Sequence, residues 1–306
     1  MTDADLFQSH RPLLFAIAYR MLGSASEAED VLQDAYLRYA REPRKEVRSP
    51  ASYLSTIVTR LCLDRLKSAR ATREHYPGPW LPEPVLTTGS EADAQLAAER
   101  QESIEFAFLI LLESLTPQER AVFLLREVFE YEYADIAAIL ELSVANCRQL
   151  FHRARTRIAE RKPRFRSSTE QRRQMVERFM AAAQQGEVDD LASLLAQDVI
   201  FTADGGGKAP AVSRPVHGRQ TVAKLMRGLV RNLMRAARRM GGDLRLDVVD
   251  INGEPAIPCW FGGRLETVFI FSASGNQINA IWSMRNTDKL AYIERQLRAG
   301  GNGVPL

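Results

Sequence analysis

The chain has 306 residues and a formal net charge of +3, and its 45% hydrophobic and 26% charged content excludes wholesale disorder and suits two or three folded domains. Its three widely separated cysteines do not form the pattern of a disulfide framework or a metal site, and they suit a reducing cytoplasm. We expect no membrane targeting, because the acidic start has no hydrophobic signal region behind it and no apolar run is long enough to cross a bilayer.

The first predicted domain is all-helical and covers residues 1–74, where apolar residues recur at helical spacing. Ser26 and Glu29 have the spacing of a capping box, which predicts the start of a second helix there. The outer face of that helix is acidic, and such a face is most often only solvated. Ser49 before Pro50 predicts the start of a third helix, whose end is basic.

A proline-rich linker is predicted over residues 75–104. Its four prolines disfavour helix and favour an extended, semi-rigid path. A plain spacer has no need of the apolar side chains of Trp80 and Leu81, so we interpret residues 80–84 as a docking segment. A tryptophan at the edge of a core is the alternative interpretation.

A helix-turn-helix is predicted between Tyr133 and Ile158, within a helical domain that covers residues 105–163. Ser143 is placed to cap its second helix. That helix has an apolar stripe on one side and hydrogen-bonding side chains on the other, as a DNA recognition helix requires. An amphipathic hairpin whose charges are only solvated is the plainer alternative.

The charges of the chain are segregated in a way that favours nucleic-acid binding. Residues 144–173 contain ten Lys or Arg and two acids, a net of +8, while residues 91–142 contain twelve acids and three basic residues, a net of −9. A basic block that coincides with a helix-turn-helix is an electrostatic signature of DNA binding.

The second half of the chain has a different pattern, beginning after the basic segment 161–166. Predicted helices precede an alternating strand at 199–204, which stops at a triple glycine, and another helix is predicted over 218–239. Four further alternating segments between 244 and 284 predict a curved antiparallel sheet. Helices packed on one face of such a sheet make an α+β cone.

This half of the chain permits two chemical interpretations. The triple glycine invites a phosphate-loop interpretation, but the G-x-x-x-x-G-K-[ST] spacing is absent and no helix starts after it. An acid inside an apolar cone could support acid-base chemistry or ligand sensing. The sequence shows no obvious catalytic pair among the candidates for lining such a pocket, which are Asp198, Asp204, His217, Trp260 and Trp282.

The first half resembles bacterial sigma factors of the extracytoplasmic-function type. The resemblance rests on Glu29 to Leu37, on Tyr53-Leu54, on Leu63 to Leu66, and on the helix-turn-helix ending at His152 to Arg155. It implies an acidic helix that docks on core RNA polymerase, a basic helix that opens the minus-ten element, and a helix-turn-helix that binds the minus-thirty-five element. Opening DNA requires an aromatic surface and cations, and the third helix contains both.

The resemblance also implies which residues make these contacts. Those for core polymerase are Asp30, Gln33, Asp34 and Leu37. Those for minus-ten DNA are Tyr53, Arg60, Arg65, Lys67 and Arg70, where Tyr53 replaces the family's frequent Trp and Arg60 its frequent Asn. Those for minus-thirty-five DNA are Asn146, Arg148, Gln149, His152 and Arg153.

The second half resembles the SnoaL-like, nuclear-transport-factor-like domain fused to one subgroup of these sigma factors. The resemblance rests on three short motifs, in the linker, after the strand and near the end of the chain. It implies a regulator in cis, in place of a separate anti-sigma protein. The implied regulatory contacts are Trp80, Leu81, Pro82, Glu83, Pro84, Asp204, Gly205, Gly206, Gly207, Lys208, Asn286, Asp288, Lys289 and Leu290.

The sequence thus predicts a multidomain protein with two all-α domains, a linker and a C-terminal α+β regulatory domain at 167–306. The expected partners are core RNA polymerase and promoter DNA, and no catalytic residue, cofactor or metal is predicted. The alternative is a DNA-binding regulator whose C-terminal domain is an enzyme or a sensor of a small ligand.

Overall fold

The computed structural model of the chain describes residues 3–41, 49–87, 105–159, 168–186, 188–240 and 244–299. The chain forms two compact units. One contains Met1–His75 and Phe108–Lys162, and the other contains Tyr76–Ala107 and Pro163–Leu306. Among the described residues, no helix combines the length and the apolar character needed to cross a membrane.

The first unit begins with three helices, α1 (Asp3–Leu22), α2 (Ala25–Arg41) and α3 (Pro50–Glu74). The predicted cap of α2 is wrong by two residues, because the Ser24 hydroxyl accepts the Glu27 amide at 3.1 Å. Gly23, at φ +67°, ends α1 and leaves Ser24 in the cap position. Ser49 caps α3 as predicted, accepting the Ser52 amide at 3.3 Å.

The helix-turn-helix is preceded by two short helices and a π-helical turn. The preceding elements are α4 (Phe106–Leu112), α5 (Pro117–Phe123) and the π-helical turn (Leu124–Val128). The helix-turn-helix itself consists of α6 (Tyr133–Leu140) and α7 (Val144–Ala159). Thr116 and Glu119 form the capping box of α5, and Ser143 accepts the Asn146 amide at 3.1 Å to start α7. Glu141 adopts φ +56° in the turn between α6 and α7. The predicted helix-turn-helix is confirmed, whereas the π-helical turn was not predicted.

The packing of α7 follows its amphipathic pattern. Cys147, Leu150, Ala154 and Ile158 are buried. Cys147 and Leu150 join Val122, Ile136 and other residues of the preceding helices in one apolar cluster. The helix is therefore fixed through one stripe, which leaves the other side exposed.

The second unit contains helices and a seven-stranded sheet. Its helices are α8 (Thr169–Gln185), α9 (Val188–Leu194), α10 (Arg219–Met240) and α11 (Thr287–Ala299). Its strands are β1 (Leu195–Asp204), β2 (Val216–His217), β3 (Leu244–Leu246), β4 (Val249–Ile251), β5 (Glu254–Phe261), β6 (Arg264–Ser274) and β7 (Gln277–Met284). The strand order is β2-β1-β7-β6-β5-β3, with β4 also paired to β5.

The sheet is mixed rather than wholly antiparallel. β1 and β7 run parallel, with Asp204 opposite Met284, while the other pairs are antiparallel. The long connection from β1 to β7 includes α10 and five strands, and it lets β7 enter the sheet from the same end as β1. Apolar residues of α8, α9 and α10 pack with the sheet, as when Phe179 meets Phe271 at 5.6 Å. This is the predicted α+β cone.

Candidate functional site

The predicted polymerase-binding residues lie on an accessible part of α2. Asp30, Gln33 and Leu37 are exposed and Asp34 is half-buried. Asp30 and Gln33 also line a surface cleft of about 420 Å³ together with residues of α1. Leu37 is 45% exposed, so an apolar group lies next to the carboxylates. Such a surface can receive a partner that offers both cations and an apolar contact.

Two predicted sets of residues contact each other between α2 and α3. Arg65, assigned to minus-ten DNA, lies 3.0 Å from the carboxylate of Asp34 and 3.5 Å from that of Asp30. Lys67 is exposed and lies 3.4 Å from Asp64 on its own helix. Tyr53 is half-buried, and its ring lies 6.4 Å from that of Tyr39. The Arg70 side chain lies outside the described part of the structure.

Arg60 of α3 contacts the helix-turn-helix within the first unit. Its Nε donates to the Ile139 carbonyl at 2.9 Å and its Nη2 to the Ala138 carbonyl at 3.3 Å. The same group lies 3.0 Å from the Glu141 carboxylate. A cation at the carbonyl end of a helix is favourable because the helix dipole is negative there. A residue predicted to contact minus-ten DNA therefore holds the turn before α7.

The predicted minus-thirty-five face is on the outer side of α7. Arg148, Gln149, His152 and Arg153 are exposed, and Asn146 is half-buried. Arg153 Nε lies 3.3 Å from a carboxylate oxygen of Glu119, which is almost fully buried. Arg157 contacts the other oxygen at 2.8 Å. Replacing Arg153 to test base recognition would therefore also remove a structural contact.

The linker motif meets the strand-end motif at the buried carboxylate of Asp204, which is 0% exposed. One oxygen accepts the Tyr76 hydroxyl at 2.6 Å. The other accepts the backbone amide of Leu81 at 2.9 Å and the ammonium of Lys289 at 2.8 Å. Burying a carboxylate is unfavourable unless it is paired and hydrogen-bonded, and here the linker supplies two of the three donors.

Lys289 joins the third motif to the same cluster. Its ammonium also donates to the Leu81 carbonyl at 2.5 Å and lies 4.1 Å from the centre of the Trp80 ring. A cation over an indole face is a favourable electrostatic contact. Asn286 donates to the Tyr76 hydroxyl at 2.8 Å. The three motifs named from the sequence are therefore brought to one place.

The triple glycine allows the linker to approach closely. A Cβ on Gly206 would lie 2.2 Å from the Asn286 amide nitrogen and 2.9 Å from the Tyr76 hydroxyl. A Cβ on Gly207 would lie 3.0 Å from Pro77, and one on Gly205 would lie 2.2 Å from the Ala209 carbonyl. The absence of side chains at these positions is a packing requirement, which explains the glycines without any phosphate.

The remaining motif residues surround this cluster. Pro82, Glu83, Pro84 and Leu290 are buried. Lys208 and Asp288 form an ion pair in which both side chains are at least half exposed.

A second linker anchor was missed by sequence analysis. The side-chain oxygen of Asn252 accepts a hydrogen bond from the backbone amide of Val85 at 3.0 Å. The backbone amide of Asn252 in turn donates to the Val85 carbonyl at 2.9 Å. Leu86 pairs with Ile251 as an isolated antiparallel bridge, and its amide donates to Gln296 at 2.9 Å. The Asn252-Gly253 pair signals a hairpin turn, but nothing in the sequence indicates that this turn binds the linker.

The residues considered for a catalytic pocket differ in exposure and in the contacts that they make. Asp198 and His217 are exposed, while Asp204 is occupied by the linker. Trp282 packs against Phe106 at 5.3 Å, and Arg298 lies 5.3 Å from the Trp260 ring. These contacts give Asp204, Trp260 and Trp282 structural roles.

The ionisable groups with shifted pKa values include the half-buried phenol of Tyr76 and three buried thiols. Burial and the hydrogen bond to Asp204 raise the pKa of Tyr76, so its hydroxyl stays a donor at neutral pH. Burial raises the pKa of Cys259 to about 12 and also raises the pKa values of Cys62 and Cys147. Since the thiolate is the reactive form, all three cysteines are expected to react slowly.

Comparison with known proteins agrees with the two helical regions. Residues 6–72 match the Sigma-70 region 2 family, and residues 106–158 match the Sigma-70 region 4 family. The chain is 34% identical to the ECF RNA polymerase sigma factor SigJ of Mycobacterium tuberculosis, over 98% of each chain. It is 27% identical to the ECF RNA polymerase sigma factor SigG of the same organism, over 81% of this chain and 70% of the relative.

The fold is also similar to a solved structure over nearly its whole length. The crystal structure of the Mycobacterium tuberculosis extracytoplasmic function sigma factor SigJ matches with a TM-score of 0.73 and 33% identity. The match covers 94% of this chain and 98% of the solved chain. The chain therefore belongs to the extracytoplasmic-function sigma factors of RNA polymerase.

Proposed function

We propose that the C-terminal unit regulates this sigma factor in cis by binding the linker between its two DNA-binding regions. The observation that carries the proposal is the buried Asp204 carboxylate, whose donors include Tyr76 and Leu81 of the linker. Residues 76–87 lie in the segment between α3 and α4. Holding them in place limits the separations that the two regions can adopt on polymerase and promoter DNA.

The active factor binds core RNA polymerase through the α2 face and promoter DNA through α3 and α7. We assign the polymerase contact to Asp30, Gln33, Asp34 and Leu37, because this face combines carboxylates, an amide and an exposed leucine. We assign minus-thirty-five recognition to the exposed side of α7. These assignments follow the family resemblance residue by residue.

The contact between α3 and the helix-turn-helix supports a restrained state. Arg60 is assigned to minus-ten DNA, yet in this structure it binds the carbonyl end of α6. Arg65 is likewise paired with Asp30 and Asp34. In this proposal, polymerase and DNA replace these internal partners. The binding of polymerase and DNA is thereby coupled to the release of the restrained state.

The C-terminal cone then acts as a binding domain, and we propose that it has no catalytic role. Its one buried acid among the pocket candidates holds the linker instead of facing a ligand. Since core polymerase and the chromosome share the cytoplasm, we also place the protein there.

Run-off transcription with core polymerase tests the proposal. The full-length chain is compared with a chain that ends at Pro163, and both are compared with a Lys289→Met variant. We expect Lys289→Met to change promoter-specific output because it leaves Asp204 without its cation and weakens the linker contact. Lys208→Met, which removes only the exposed ion pair with Asp288, the residue before Lys289, is the matched control.

The outcomes separate the roles of the C-terminal unit. Higher output from both the truncated chain and Lys289→Met indicates an inhibitor in cis. Lower output from both indicates that the docked linker is required for activity. Equal output from all four proteins would refute regulation through the linker contact.

A further inference from the structure

Helix α10 has a strongly basic surface that the proposed function does not use. The helix has seven basic residues and no acidic residue along its 22 positions. Six of the basic side chains are exposed, namely Lys224, Arg227, Arg231, Arg235, Arg238 and Arg239. They recur mostly at intervals of three or four residues, so they lie within roughly a third of the helix circumference. We call these six residues the α10 stripe.

The α10 stripe is not neutralised by the surrounding structure. Within the described ranges, none of its six side chains forms an ion pair. Other arginines of the same unit do have carboxylate partners, as Arg173 has Glu177 and Arg245 has Asp247. Like charges at adjacent helix turns repel one another, which is unfavourable unless an anionic partner compensates.

The opposite face of α10 is already used by the fold. Val222, Ala223, Met226 and Val230 are buried in the core of the second unit, and the helix's leucines pack partly against that core. A helix that lies in a membrane surface needs its apolar face free to enter the lipid. Because this face is occupied, the helix offers only charge and hydrogen bonds to a partner.

We propose that the α10 stripe binds the phosphate backbone of DNA without sequence specificity, as an additional contact of the C-terminal unit. Five of its six cations are arginines, whose planar guanidinium groups pair well with phosphate. From Lys224 to Arg238 the helix extends about 21 Å at 1.5 Å per residue. One DNA strand presents about six phosphates over that length, at about 3.4 Å along the axis. The stripe thus matches the backbone in both charge and extent.

The test uses the full-length protein and a fluorescent duplex that lacks promoter elements. Affinity is measured by anisotropy from about 50 to 200 mM salt. The test variant combines Arg227→Gln, Arg231→Gln and Arg235→Gln. Its matched control combines Arg178→Gln, Arg214→Gln and Arg264→Gln, three exposed arginines of the same unit outside α10. Circular dichroism and thermal unfolding verify that both variants fold.

We expect the test variant to bind at least about tenfold more weakly at the lower salt, and the slope of log affinity against log salt to fall by about 2 to 3. The control should keep the wild-type slope to within about one. Unchanged binding by the test variant, or an equal loss in both variants, would overturn the proposal. If the test variant loses binding to phosphatidylglycerol vesicles but retains its affinity for DNA, the proposal is also overturned. That result would identify an anionic lipid surface as the partner of the α10 stripe.

Discussion

The absence of a side chain at Gly206 determines how closely the linker can approach the strand-end loop. We expect Gly206→Ala to disrupt linker docking, since the new Cβ would lie 2.2 Å from Asn286 and 2.9 Å from the Tyr76 hydroxyl. The backbone at this position has φ +57°, where alanine costs about 1–2 kcal/mol on its own. Hydrogen exchange of the Leu81 and Val85 amides measures the effect.

Gly262→Ala separates the clash from the backbone cost. Gly262 has a similar φ of +54°, but a Cβ there would have no neighbour within 4 Å. We therefore expect this control to lose a similar amount of stability through its backbone conformation. The amides of residues 81 and 85 should remain protected from hydrogen exchange. Equal exchange in the two variants would mean that the close contact with Tyr76 and Asn286 is not what holds the linker.

At the scale of single residues, the sequence predicted only those roles that depend on neighbouring residues in the chain. Ser49 and Ser143 were recognised as caps because a cap depends on a few adjacent residues. The glycine motif was recognised, but the atoms that require it come from Tyr76 and Asn286, which are remote in sequence. Asn252 gave no signal of its role, because it binds the linker through backbone and amide geometry set by the fold.

At the scale of elements, Arg60 joins α3 to the end of α6. Arg60→Ala removes two hydrogen bonds to carbonyls and one ion pair, although the side chain is 45% exposed. After allowing for solvent screening, we expect a loss of about 1 kcal/mol, which raises the population of separated states about fivefold. Spin labels at Ala40→Cys and Ala159→Cys, on α2 and α7, would then give a broader and longer distance distribution.

Lys67→Ala is the control on the same helix, because Lys67 pairs only with Asp64 of α3 among the described contacts. Its distance distribution should stay that of the labelled wild type. The three native thiols are buried with raised pKa values, so labelling should favour the introduced cysteines. An unchanged distribution in Arg60→Ala would mean that other contacts alone hold α3 and the helix-turn-helix together.

The elements themselves were predictable wherever one face is apolar. The alternation along β1 and the helical spacing of α7 determined both element type and buried face. The parallel pairing of β1 with β7 was not predictable, because it depends on how α10 and five strands are arranged between them. The π-helical turn at Leu124–Val128 has no distinct sequence pattern that separates it from an α-helix.

At the scale of the whole molecule, the linker unfolds with the unit to which it belongs. The second unit combines Tyr76–Ala107 with Pro163–Leu306, so two distant chain segments complete one fold. Two compact units predict two unfolding transitions, and residues 80–86 should lose hydrogen-exchange protection together with β1 and β7. Lys289→Met tests this coupling because it leaves the buried Asp204 carboxylate without its cation.

Removing one partner of a buried ion pair typically costs about 3–5 kcal/mol. For a unit of this size we expect the Lys289→Met transition to fall by roughly 10 °C, with the other transition unchanged. Lys208→Met should shift neither transition noticeably, because exposed ion pairs contribute less than about 1 kcal/mol. A fall in both transitions would show that the units unfold as one. An unchanged melt with early exchange at residues 80–86 would show instead that the linker is held independently of the cone, so that regulation could release it without unfolding any part of the C-terminal unit.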